Sequence, residues 1–171
     1  VPLQAENASL FNFFKYEYKM NQRIWIYTLS KELSKNQLIE FKNKCDVFVN
    51  SWTAHDTKLD ASYDMYKDRL LLFKVNEASY NASGCSIDKQ VRFVKDLEIT
   101  FSIELLNRML VAYNHGSELK IIHQSKIKDL IASKGMNENT LIYNNAINFS
   151  SDLETNWQVP LHKTWLAKYL N

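Results

Sequence analysis

The run Leu70-Leu71-Leu72-Phe73-Lys74-Val75 constrains the fold more than any other part of this chain. Successive side chains on a strand point to opposite faces of the sheet, and here both faces are almost wholly apolar. A strand built from this run needs cover on both sides, which predicts the central strand of a buried sheet. Leu59 to Tyr66 reads as its partner, joined to Leu70–Asn76 by a turn at Lys67-Asp68. Arg23-Ile24-Trp25-Ile26-Tyr27, rich in β-branched and aromatic residues, reads as the first strand.

The cover is readable as helix. Ser34 with Gln37 three residues on makes a capping box, and Leu33 and Leu38 stand where a hydrophobic staple would. Leu38, Phe41, Cys45, Phe48 and Trp52 then form one stripe at helical spacing, with Cys45 as a small buried hydrophobe. Lys31, Lys35, Lys42 and Lys44 are interspersed with Glu32, Glu40 and Asp46, the pattern of a solvated face. A second helix shows a face of Ile87, Val91, Val94, Leu97, Glu98 and Phe101, apolar except for Glu98.

Arg108 to Tyr113 and Glu118 to Ile122 form a hairpin about Asn114-His115-Gly116-Ser117. Ser125 is placed to cap a short helix ending at Lys134-Gly135, and Thr140 to Tyr143 makes a last strand. Trp157, Pro160 and Trp165 are expected to anchor the tail on the body. The prediction is an α+β fold in a single domain, a mainly antiparallel sheet packed by two long helices plus a short third helix. Residues 20–171 should form that domain, with 1–19 as an N-terminal extension. A chain of 171 residues has length enough to bury a core without staples.

Several function classes lose support at once. A net charge of +2 gives no footprint for nucleic acid or an anionic membrane. No apolar run has the length of a membrane span, and Leu10-Phe11-Asn12-Phe13-Phe14 lacks the basic start and cleavage pattern of a signal peptide. Two cysteines without metal-type spacing point to a reducing, cytoplasmic setting.

The candidate site is Asn81 to Asp88, where a loop turns on one of only three glycines and opens a helix. A helix start offers free N–H groups and a partial positive charge that suit an anion. Gly84 would let backbone approach a ligand, with a positive φ if it serves the turn. Ser86 would cap the helix, and Ser83, Cys85 and Asp88 complete a ligand-binding set. A thiol at that place is favoured as thiolate, so Cys85 as nucleophile with His55 as base is the catalytic alternative. The same residues also suit a purely structural strand-to-helix turn.

A phosphate-binding P-loop needs a second glycine followed by Lys and Ser or Thr. Gly84 is followed by Cys85-Ser86-Ile87-Asp88-Lys89, so the P-loop is missing. Trp25-Ile26-Tyr27, Trp52-Thr53-Ala54-His55, Ala82-Ser83-Gly84-Cys85-Ser86-Ile87-Asp88, Asn107-Arg108 before Val111-Ala112-Tyr113, and Val159-Pro160 near Trp165 occur in one order. Together they resemble a small uncharacterised bacterial family commonly labelled "ABC transporter ATPase", over roughly Met20 to Tyr169. That label implies ATP hydrolysis, which the missing P-loop argues against, and the resemblance assigns no catalytic residue or cofactor. Asp56 stands where the family pattern has glycine, which argues against a tight turn after His55. The expectation is a non-catalytic binding or interaction protein for an unidentified small ligand or protein partner.

Overall fold

The apolar run becomes β5 (Leu70–Asn76), the middle strand of an antiparallel sheet between β1 (Arg23–Thr28) and β4 (Asp60–Tyr66). A computed structural model describes residues 22–78 and 80–171. The boundary expected at Met20 and the extension before it lie outside those residues. Alternation along β5 explains its composition: Leu71, Phe73 and Val75 enter one hydrophobic core, and Leu70 and Leu72 enter another on the opposite face. Lys74 shares the face of Leu70 and Leu72 at 1% exposure, and its ammonium pairs with the Asp64 carboxylate on β4.

Helices α1 (Lys35–Ser51) and α2 (Gly84–Phe101) cover the first face. The capping box forms as expected: the Ser34 hydroxyl accepts from the Gln37 N–H, and the Gln37 side chain accepts from the Ser34 N–H. Phe41, Cys45 and Trp52 of the stripe are buried, and burial pushes the Cys45 thiol pKa up. Phe48 stacks on Phe93 at 4.3 Å and Phe41 meets Phe101 at 5.3 Å, which locks the two helices together.

A second sheet covers the other face. Its order is β7 (Glu118–His123), β6 (Leu110–His115), β8 (Leu141–Tyr143), β9 (Gln158–Pro160), with neighbours antiparallel. Ala112, Leu119 and Tyr143 face the first sheet, while Val111, Tyr113 and Ile142 pack toward α3 (Ile127–Ala132) and the C-terminal 3-10 turns. The layers are therefore helices, sheet, sheet, and a thin helical cover. This is the single α+β domain with two long helices that the sequence predicts. No helix among the described residues is long and apolar enough to cross a membrane.

Several local expectations are corrected. A tight turn does follow His55: β2 (Thr53–Ala54) pairs with β3 (Thr57–Lys58), and His55 and Asp56 adopt φ of 46° and 65°. Two left-handed residues in succession make the primed turn that suits strand twist. Lys89 steadies the little hairpin by donating to the Thr53 hydroxyl at 2.7 Å. Strand β9 was not predicted; it is three residues long and contains Pro160, which an edge strand tolerates. Strand β6 begins at Leu110, because Arg108 and Met109 belong to a turn held by Asn107.

The short helical segment starts on the His123 ring, which accepts from the Ser125 N–H, rather than on a Ser125 cap. Lys134, not Gly135, carries the left-handed backbone at its end; a Cβ on Gly135 would stand 2.5 Å from Leu130 Cδ1. Trp157 anchors the tail in full burial, whereas Trp165 is 57% exposed.

Candidate functional site

The stretch from Asn81 to Asp88 splits into an inner and an outer side. Ser83, not Ser86, is the cap of α2: its hydroxyl accepts from the Ser86 N–H at 3.3 Å. Ser86 is wholly buried, donates its hydroxyl to the Ser83 carbonyl at 2.7 Å, and offers its own carbonyl to Trp52 Nε1 at 2.8 Å. Gly84, Cys85 and Asp88 face solvent.

Gly84 is an ordinary helical residue without positive φ, and a Cβ there would meet nothing within 4 Å. Gly84→Ala is thus expected to be tolerated and to raise stability by about 0.4–1 kcal/mol through the unfolded state, read as a higher urea midpoint at unchanged slope. A loss of more than ~1 kcal/mol would show that the glycine answers to something besides helix formation.

His55 sits at the β2–β3 turn, on a shallow depression of about 450 Å³ that it shares with Glu77, Tyr80, Asn81, Ala82 and Ser83. Cys85 does not line that depression. The fold thus brings His55 beside Ser83 but not onto the thiol. Elsewhere, His123 is engaged with Ser125 and His162 Nδ1 lies 2.9 Å from the Glu138 carbonyl. Among the described residues no imidazole hydrogen-bonds Cys85, and no three His, Cys, Asp or Glu side chains gather as a metal site would require.

The larger cavity opens on another flank of the same helix. It has a volume of about 770 Å³ and lies between β1, the first two turns of α2, the 105–108 segment, the second sheet with its 144–148 loop, and residues 163–166. From α2 it receives Ile87, Gln90 and Val91.

Gln90 is the unusual member. It is 0% exposed, its Oε1 accepts from the Tyr27 hydroxyl at 3.2 Å, and its Nε2 has no partner. A buried donor left unmade costs about 1–3 kcal/mol, so folded proteins rarely keep one without a reason. Sequence reading passed over Gln90, although it falls between Ile87 and Val94 at helical spacing. A polar residue on an otherwise apolar stripe was the available signal.

The Tyr27 hydroxyl lies beside this donor. Burial pushes its pKa up to about 12, and the nearby Arg108 charge opposes the rise. Because the folded state holds this proton more tightly than the unfolded chain, the contribution of Tyr27 to stability is complete below pH ~10 and is lost as pH rises toward 12. In a tyrosinate absorbance titration, Tyr27→Phe is expected to delete one late-titrating phenol. Its removal from the normal range near pH 10 instead would contradict the burial.

Two supports fix the walls. On one, the Glu98 carboxylate, the lone charge on its helix face, accepts from the Leu105 and Leu106 N–H groups at 2.6 and 2.8 Å. That positions Asn107 and Arg108 at the rim. On the other, Asn145 donates to the Thr28 hydroxyl at 2.9 Å and accepts from Trp157 Nε1 at 3.0 Å. Among the described residues no Asp or Glu lines the cavity, while Arg108 and Lys163 do, and neither has an ion-pair partner there. The chain has no match among protein-family models, curated proteins or solved structures.

Proposed function

We propose that the protein is a non-catalytic binding domain whose ligand occupies the cavity between β1, α2 and the second sheet, rather than the exposed start of α2. The observation that carries this reading is Gln90, a residue of the cavity lining that is fully buried and whose Nε2 has no partner. A ligand acceptor there would remove a penalty that the empty protein bears. Size supports the reading too: about 770 Å³ lies within the roughly 300–1,000 Å³ of small-molecule sites. Apolar walls with a few convergent polar groups are the usual composition of such sites. The thiol alternative has less behind it, since Cys85 lies off both depressions and has no imidazole bonded to it. The resemblance to proteins labelled ABC transporter ATPases adds no ATP site, because the phosphate loop is missing from the sequence.

Thermal-shift screening of nucleotides, inorganic phosphates, acyl compounds and short peptides tests the proposal. A probe at 100 times its Kd stabilises by about 2.7 kcal/mol, or ~5–10 °C for a domain of this size. Val91→Trp, which fills the cavity, is expected to abolish the shift. The double variant Tyr27→Phe with Gln90→Leu should bind no better than Val91→Trp, yet unfold about 1 kcal/mol later than wild type, since it removes both partners of an incomplete pair. Ligand binding that survives Val91→Trp and disappears in Cys85→Ser would overturn the reading in favour of the thiol.

A further inference from the structure

The outer edge of β1 is paired for only part of its length. The Ile24 N–H donates to the Asn148 carbonyl at 2.8 Å, Arg23 bridges to Phe149, and Gln22 exchanges hydrogen bonds with Ser150. Beyond Ile24 the pairing stops among the described residues. Strand geometry points the N–H and C=O of Ile26 to the same side as those of Ile24, away from β5. No described residue bonds to them, and Ile26 lies in the cavity wall. The unpaired edge from Trp25 to Thr28 is four residues, about 13 Å at ~3.3 Å per residue.

Resting on the cavity being the binding site, we infer that its occupant is a short extended peptide that adds to the free edge of β1 and directs a carboxylate to Arg108 and Lys163. Three features of the wall select this chemistry. Main-chain groups of Ile26 call for a partner with alternating N–H and C=O, which a strand supplies. The amide donors of Gln90 and Asn144 suit peptide carbonyls, whereas a hydrocarbon chain would leave the Gln90 Nε2 as unmatched as it is now. Arg108 and Lys163, with no ion-pair partner and no acidic lining residue among the described residues, complement a free C-terminus or an acidic side chain and disfavour a basic peptide.

The test uses the full chain and a library of six-residue peptides with free C-termini, with amidated copies and decanoate as comparison probes. Trp165, exposed at the cavity, provides a fluorescence readout, and Trp165→Phe identifies its signal. Free-acid peptides are expected to bind at least tenfold tighter than their amides, and Arg108→Gln with Lys163→Gln should erase that difference. Backbone N-methylation at the residue opposite Ile26 should weaken binding by a similar factor without changing any side chain.

Decanoate binding that Val91→Trp abolishes, with no peptide bound, would keep the cavity and overturn the peptide. Peptide binding indifferent to Val91→Trp would overturn the cavity itself. A photo-crosslinker placed at Val91 that captures residues 1–21 of the same chain and never the added peptide would overturn the proposal in favour of an internal occupant.

Discussion

Trp52→Ala is expected to lower the unfolding free energy by about 3–5 kcal/mol, the range for removing a buried tryptophan. The side chain is 1% exposed and joins three elements at once. Its ring meets Trp25 of β1 at 5.8 Å, Phe48 of α1 at 5.0 Å and Phe73 of β5 at 6.0 Å. Its Nε1–H reaches the Ser86 carbonyl in the first turn of α2, and its own carbonyl accepts from the Leu59 N–H beyond the small hairpin. Removing the ring therefore opens a cavity and releases the start of α2, the helix that places Gln90. Trp52→Phe keeps most of the packing and loses the indole donor, for a cost nearer 1–2 kcal/mol. Urea unfolding of the two variants checks both values. If alanine costs under ~1.5 kcal/mol, Trp52 is not the joint described.

The second large effect is at Glu98. Hydrogen bonds to a charged acceptor contribute about 1.5–3 kcal/mol each, and the two made by this carboxylate share one oxygen, so Glu98→Ala should cost about 2–3 kcal/mol. The more telling readout is local. Amide hydrogen exchange at Leu105 and Leu106 should speed up well before the protection of β5 changes, because those two N–H groups lose their acceptor. Peptide binding should weaken with it, since the same loop presents Arg108. Glu98→Gln retains an acceptor of the same shape and should restore most of the exchange protection. Unchanged exchange at Leu105 and Leu106 in the alanine variant would sink this account.

Much of the scaffold was legible because its rules are local. Period-two burial wrote itself into Leu70–Val75, and the capping box at Ser34 and Gln37 is a four-residue code. The β2–β3 hairpin escaped because its turn is usually announced by Asn-Gly or Asp-Gly, and here His55-Asp56 takes the same backbone. Strand β9 is too short for any period to show.

The cavity was not legible for a different reason. Gly84 and Cys85 draw attention as residue types, yet both face solvent at a plain helix start. The cavity is assembled from segments as far apart as Ile24 and Leu166, and no spacing rule links them. Only Gln90, a carboxamide on an apolar stripe, marked it in the linear chain.

The half-paired edge of β1 also bears on self-association. Unpaired strand edges recruit like edges from other copies, and proteins normally blunt them with bulges, prolines or charge. Here Ile26 shares its cavity with residues of α2 and of the 144–148 loop. A strand already part of another sheet brings its neighbours with it, and those neighbours would have to clear the lining residues as well. Cover of this kind limits what can approach the edge, as a bulge or a charge does on other exposed strands.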